Sequence, residues 1–356
     1  MNSFAKGALI GTAAIMGGAL ALEVAQTGMS HSLIRIAFER ELPFSPGIRT
    51  KKLFSGCRDI EKIENFCCKG ATMLENGDCQ KVTLMSKDGQ RLVGHLHLCP
   101  TPERTIIAMH GWRTTWARDF GTVSSFWHSH NCNVLYVEQR GQSNSEGRCI
   151  GFGITERYDC LDWIKWVNKN IKDPTLPIYL CGVSMGASTV LMATGLDLPP
   201  NVRGVIADCG FTSPHDVFKH VINKNLHFPY CSTTKNKINR LCQRRLGFDP
   251  HCCSTIDALK RCRIPVMLVH GGSDRFVPVE MSYENFRVCA APKRLFIVPA
   301  ADHGMCYYTD PKGYQREMLS FFSECDAGGV GTRGRGGRDV AFLKKSSAKN
   351  FTLKSF

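Results

Sequence analysis

Six short, almost wholly apolar runs, each divided from the next by a longer mixed stretch, restrict this chain more than any other feature. They are Thr105–Met109, Asn133–Val137, Pro177–Cys181, Val202–Ala207, Pro265–Val269 and Arg294–Val298. A strand apolar on both faces must be covered on both faces. Helical crossovers provide that cover, so the runs predict an α/β fold with a mostly parallel central sheet and helices on either side. Ahead of them, Val82–Met85 and Arg91–Leu96 flank Lys87-Asp88-Gly89-Gln90, a strand–turn–strand hairpin with Asp-Gly at its tip. Between the fourth and fifth runs, residues 211–262 are too long and too polar for one crossover and predict an inserted helical cap. The 356 residues have room for one large domain or two small ones. The division read here is a hydrophobic piece at 1–30, a helix and loop extension at 31–80, the α/β domain at 81–325 with its cap at 211–262, and a tail at 326–356.

Gly182-Val183-Ser184-Met185-Gly186 is the strongest local signal. It follows the apolar run ending at Cys181 and opens a small-residue helical stretch, Ala187-Ser188-Thr189-Val190-Leu191-Met192. A strand, a tight turn and a helix are the setting of a nucleophile elbow. There the glycines let a strained turn pack closely, and the serine hydroxyl stands out above the sheet. A serine needs a base, and the base needs an orienting acid. In this arrangement the chain order is serine, acid, histidine. Asp274 follows the fifth run through His270-Gly271-Gly272-Ser273, and His303 follows the sixth through Pro299-Ala300-Ala301-Asp302. Both stand at the same strand ends as Ser184. Asp208, which ends the fourth run, is the competing acid. Asp302 points away from its neighbour His303, and His270 reads as a packed core histidine. His128-Ser129-His130 lacks a third ligand for a metal and reads as helix or loop surface.

Two backbone donors complete the expected site. One is the Met185 N–H, directly after the nucleophile, and the other is the Trp112 N–H in the loop His110-Gly111-Trp112-Arg113. Phe218, Phe228 and Tyr230 of the cap are candidates for lining a substrate pocket. The chemistry requires neither metal nor cofactor.

With these pieces in place, the chain resembles the α/β-hydrolase superfamily over roughly Lys81 to Glu324. The resemblance rests on His110-Gly111, the segment Glu138-Gln139-Arg140-Gly141-Gln142-Ser143-Asn144-Ser145-Glu146-Gly147, the Gly182–Gly186 elbow, Gly272-Ser273-Asp274 and His303-Gly304. Gly151-Phe152-Gly153 with Glu156, Arg157 and Asp159 is similar to a group of bacterial capped hydrolases, mostly without an assigned substrate. Glu138 departs from the Asp common there, at what reads as a loop position. The resemblance implies the α/β-hydrolase fold and a serine hydrolase cleaving small-molecule acyl esters or thioesters. Peptide cleavage on the same triad, or a non-catalytic binding role, are its alternatives.

Charge and the chain ends bear on partners. The formal charge is +14, and two segments hold most of it. Residues 211–262 carry nine Lys/Arg against three Asp, and residues 327–356 carry seven against one Asp. A basic cap attracts anionic substrates or an anionic membrane surface. The tail, Gly-rich and then Lys-rich without period, reads as disordered. Its G-x-G-x-x-G at Gly329–Gly334 has no strand before it or helix after it and is discarded, and one short Arg/Gly tract without interleaved aromatics gives no expectation of a nucleic-acid partner. Gly7 to Leu22 is a 16-residue uncharged stretch. It is either a membrane anchor that leaves the main domain cytoplasmic or a cleaved signal with Ala19-Leu20-Ala21 at its end. The 18 cysteines form no C-x-x-C and include the doublets Cys67-Cys68 and Cys252-Cys253. They suit a reducing compartment, with Cys181 and Cys209 packed at strand ends.

Overall fold

The computed structural model describes residues 28, 31–32, 34–41, 60–227, 230–327 and 340–343. The apolar runs and the hairpin become strands shifted or lengthened by a residue or two at their ends: β1 (Gln80–Met85), β2 (Arg91–His97), β3 (Arg104–Met109), β4 (Cys132–Glu138), β5 (Ile178–Val183), β6 (Val202–Asp208), β7 (Val266–Gly271) and β8 (Lys293–Val298). A further strand, β9 (Val340–Leu343), follows. The helices are α1 (Ile60–Glu75), α2 (Trp116–Ser129), α3 (Glu156–Asn170), α4 (Met185–Ala193), α5 (Pro214–His220), α6 (Ser232–Leu246), α7 (Thr255–Leu259), α8 (Glu280–Val288), α9 (Cys306–Thr309) and α10 (Pro311–Ala327). The sheet order is β1-β2-β4-β3-β5-β6-β7-β8-β9. The β1–β2 and β2–β4 pairs are antiparallel and every other pair is parallel.

Strand periodicity divides the core. Ile107 and Met109 of β3 face a layer that includes Trp163 of α3 and Leu191 of α4, whereas Ile106 and Ala108 face Phe120 and Trp127 of α2 and Met318 of α10. All six side chains of β3 and all seven of β4 are buried, which is why these strands lack polar alternation. Each large side chain buried this way is worth roughly 1.5–3 kcal/mol, so the two packed faces hold the fold more than its connections do. Polar ties fix the last helix: Tyr179 donates to Asp326 at 2.6 Å and Arg294 pairs with Glu317 at 3.4 Å.

The insertion after β6 is helical, as read, but its last turn rejoins the main layers. Thr255 N–H donates to the Thr212 carbonyl at 2.9 Å, which closes the base of the excursion. Beyond that point Leu259 and Cys262 pack with α4 and the sheet. Helix α5 is started by Ser213, whose hydroxyl accepts from Asp216 N–H. A wide π-type turn, Val221–Asn225, continues it.

Two sequence expectations change. Residues 340–343, within the tail read as disordered, pair in parallel with β8, Arg294 opposite Val340. An open edge of β8 offers unpaired backbone groups, and this segment takes them. Glu138 is the last residue of β4 rather than a loop position. It is buried, accepting from Asn144 Nδ2 at 3.0 Å with His95 Nε2 at 2.7 Å. The extension before the hairpin, read as helix and loop, holds one helix over 60–75, α1, which packs against α2. The stretch at 7–22 and the glycine motif at 329–334 lie outside the described residues. Among the described residues, no helix is long and apolar enough to cross a membrane, and no disulfide joins the cysteines.

Helices α1 and α2 meet through Gly70 and Gly121. A Cβ on Gly70 would sit 2.8 Å from Thr122 Cγ2, and one on Gly121 would collide with the Gly70 backbone. Gly121→Ala should therefore destabilise the protein by about 1–3 kcal/mol through overpacking. A urea titration with unchanged slope reads this; a midpoint equal to wild type would refute the close crossing.

Candidate active site

The site begins with a backbone problem. Ser184 lies between β5 and α4 with φ 55° and ψ −116°, a conformation costly for any residue with a side chain. Its neighbours make the turn possible. A Cβ on Gly182 would strike the Gly186 backbone, and one on Gly186 would strike the Met109 carbonyl at the end of β3. Ser184 N–H donates to the Asp208 carbonyl at 2.8 Å, which fixes the turn to β6.

The side chains read from the sequence converge on Ser184. Its hydroxyl donates to His303 Nε2 at 2.8 Å, and His303 Nδ1 donates to Asp274 Oδ2 at 2.7 Å. The second oxygen, Asp274 Oδ1, accepts the N–H groups of Phe276 and Val277, each at 2.9 Å. His270 is the buried core histidine expected, but it also touches the acid. It bonds Ser282 Oγ at 2.7 Å and the Val277 carbonyl at 2.9 Å, and its Nε2 lies 3.2 Å from Asp274 Oδ2.

Charge follows geometry. Burial raises the Asp274 pKa, but His303 and His270 beside it more than reverse this, leaving the carboxyl well below the usual range. Burial also disfavours charge on His303, yet the Asp274 carboxylate, together with Cys209, outweighs it and holds the imidazole pKa well above its ordinary value. Asp208, the competing acid, is fully buried, and that burial raises its pKa. It serves Ser184 through its carbonyl rather than its carboxylate. Asp302 Oδ1 accepts its neighbour's own backbone N–H at 2.8 Å. His128 is stacked on His97 at 3.6 Å and bonded to Tyr136, so it is half-buried packing and not a metal ligand beside His130.

Cys209 was read only as core. Its backbone has φ 50°, and its thiol lies against the site, so that Cys209 Sγ and ligand atoms of Asp274 and His303 fall within 4.8 Å of one another. Burial pushes this thiol up to about 11. Nothing in its sequence neighbourhood marks that position.

The loop that carries Trp112 lies beside Ser184, and Met185 follows it directly. A Cβ on Gly111 would sit 3.4 Å from Ser184 Cβ, so the loop after β3 lies against the nucleophile. Gly111 N–H donates to Asp119 Oδ2 at 2.7 Å and Arg113 N–H to Gln142 Oε1 at 2.6 Å. Among the described residues, no hydrogen bond occupies the Trp112 or Met185 N–H. The segment 138–147 supports this loop: Gln139 bonds His110 through both its backbone and its side chain. Arg140 is clamped between Asp159 and Asp88.

Two cavities open at Ser184. One, of about 200 Å³, is lined by Thr114, Asp119, His303, Tyr307 and Tyr308 among others. The second, of about 230 Å³, is apolar apart from Ser184 itself. Phe218 lines it, as read. Tyr230 is not among its lining residues: it packs against the cluster that forms the wall and stacks edge-on with His215 at 5.6 Å. Phe228 lies outside the described residues. Sequence reasoning missed Phe152 and Phe211, and above all Ile34, Ile36, Ala37 and Phe38 from the extension.

No protein-family model matches the chain. An uncharacterised protein of Bacillus subtilis (strain 168), YqkD, is 24% identical over 232 residues, covering 63% of this chain and 73% of that protein. Among solved structures, the esterase Pf2001 of Pyrococcus furiosus superposes with a TM-score of 0.57 at 19% identity, over 69% of this chain and 92% of its own. The α/β hydrolase GrgF of Penicillium sp. sh18 gives 0.56 at 17%, over 70% and 100%. These similarities show the fold.

An Asp274→Asn substitution should lower the His303 pKa, because the carboxylate stabilises the imidazolium. An NMR titration of the ring protons reads this directly. A His303 pKa that does not fall would mean that Asp274 does not set it.

Proposed function

Given the α/β-hydrolase fold, we propose that this chain is a serine hydrolase cleaving carboxylic esters through an acyl-enzyme. The observation that carries the reading is the unbroken chain of hydrogen bonds from Ser184 through His303 to Asp274, at 2.8 and 2.7 Å. The two unoccupied N–H groups beside the serine support it.

In this reading His303 takes the Ser184 proton as Oγ attacks the acyl carbonyl. The carbonyl oxygen gains negative charge and is received by the N–H groups of Trp112 and Met185. His303 then gives the proton to the departing alkoxide, and the alcohol leaves. Water enters, loses a proton to His303 and attacks the acyl-Ser184 carbonyl; the C–Oγ bond then breaks, His303 returns the proton to Ser184 Oγ, and the acid leaves. Asp274 stays ionised throughout and holds Nδ1–H, so that Nε2 faces Ser184 with its lone pair. Its other oxygen is occupied by loop amides, so the carboxylate cannot swing away.

Ser184→Ala should abolish labelling by a fluorophosphonate and lower kcat on p-nitrophenyl esters by about 10⁶-fold. A labelled alanine variant, or a wild type that neither labels nor hydrolyses any ester, would overturn the assignment. The pH dependence follows from the direction of the His303 shift. The base works only when neutral, so kcat/KM should fall as pH drops through its raised pKa, with a midpoint above about 6.5. Asp274→Asn should move that midpoint down while lowering kcat by about 10⁴-fold. An unmoved midpoint would assign the limb to another group.

A further inference from the structure

The apolar cavity beside Ser184 is closed on one side by residues far from the rest of the site in sequence. Ile34, Ile36, Ala37 and Phe38 line it, opposite Phe152 and Phe218. Phe38 is buried and meets Phe152 at 5.1 Å and Phe218 at 5.0 Å between ring centroids, so it joins the extension to both the main domain and the insertion. We propose that residues 34–38 form the end wall of an acyl-chain subsite and set the length of unbranched acyl group that Ser184 accepts. This rests on the ester-hydrolase reading of the same site and goes beyond it by naming the substrate class.

Three observations carry the assignment. Among the described residues, the cavity presents Ser184 Oγ and no other polar side-chain group to its occupant, apart from the indole N–H of Trp112, which is already bonded. An occupant without hydrogen-bonding groups is therefore the one that loses nothing on entry. The other cavity, of about 200 Å³ with Thr114, Asp119 and two tyrosines, offers the polar surroundings that an alcohol leaving group needs. Finally, the wall is bolted in place. Trp112 Nε1 donates to the Ala37 carbonyl at 2.8 Å, and the Arg113 guanidinium donates to the carbonyls of Ile36, Glu39 and Arg40. Arg40 in turn donates to the Ser143 and Ser145 carbonyls at 2.6 and 2.5 Å. The loop that carries the Trp112 N–H thus also holds the wall, and a chain too long for the cavity pushes on both. Overfilling should appear in kcat as well as in KM.

The test uses the full chain and p-nitrophenyl acetate, butyrate, octanoate and palmitate. Wild-type kcat/KM should climb by roughly three- to four-fold per methylene while the chain is still being buried, then drop, with a lower kcat, once the cavity is full. Ala37→Phe fills the cavity and should cut the octanoate-to-acetate ratio by about tenfold, the equivalent of roughly two buried methylenes. Phe38→Ala opens the wall and should move the optimum to a longer ester. Labelling by a small fluorophosphonate, with circular dichroism, identifies variants that keep a folded site. Folded, labelled variants with the wild-type chain-length profile would overturn the wall while leaving the ester-hydrolase reading standing. A wild type that neither labels nor hydrolyses any of the four esters would overturn that reading, and the wall with it.

Discussion

The site depends on how closely the backbone of Gly186 can lie on the carbonyl that ends β3. That contact leaves no room for a Cβ, and the parallel restriction on Gly182 leaves none on the other side of the turn. The turn is therefore squeezed between β5, β3 and its own helix, and Ser184 is left with a backbone conformation no isolated serine would choose. Surrounding structure supplies the restraint: the Asp208 carbonyl holds its N–H, and the first turn of α4 holds its carbonyl through Ser188. Strain at this one residue aims the hydroxyl at His303 and leaves the first N–H of α4 facing outward.

The rest of the site is a set of supports for that geometry. Asp274 divides its two oxygens between the imidazole and the loop amides, and His270 braces it from behind. Gln139 and Gln142 fix the loop after β3, and the Arg140 pairs with Asp88 and Asp159 fix Gln139 and Gln142 in turn. Asp159 is buried and Asp88 exposed; a buried pair such as Arg140–Asp159 contributes little net stability, and breaking it is what costs. Their value here is that the segment from Glu138 to Gly147 has one arrangement.

Legibility in the sequence followed the physics of each part. Strands β3 to β8 could be read because burial on both faces writes itself as an unbroken apolar run. Ser184, Asp274 and His303 could be read because each follows such a run directly. The cavity wall could not: Ile34 and Phe38 sit among residues of mixed character, and only the folded chain brings them to Phe152 and Phe218. Cys209 escaped for a related reason, since a thiol after a strand looks the same whether it faces a core or an imidazole. Where Tyr230 would pack could not be read, because an aromatic in an amphipathic insertion has several faces to pack on; in the folded chain it stacks edge-on with His215. Helix α1 depends on Gly70 meeting Gly121, a pairing between distant residues that no local pattern announces.

The strand order has one further consequence. From β3 the chain steps to one side to make β4, then crosses back over β3 to make β5 on the other side. The connection leaving β3 goes to α2 on one face of the sheet, and the connection leaving β5 goes to α4 on the opposite face. Two neighbouring strands whose exits part in this way leave a cleft between them at their carboxyl ends. Trp112 is on one lip of that cleft and Met185 on the other. The room between the two loops follows from a reversal in winding direction, long before any side chain is chosen.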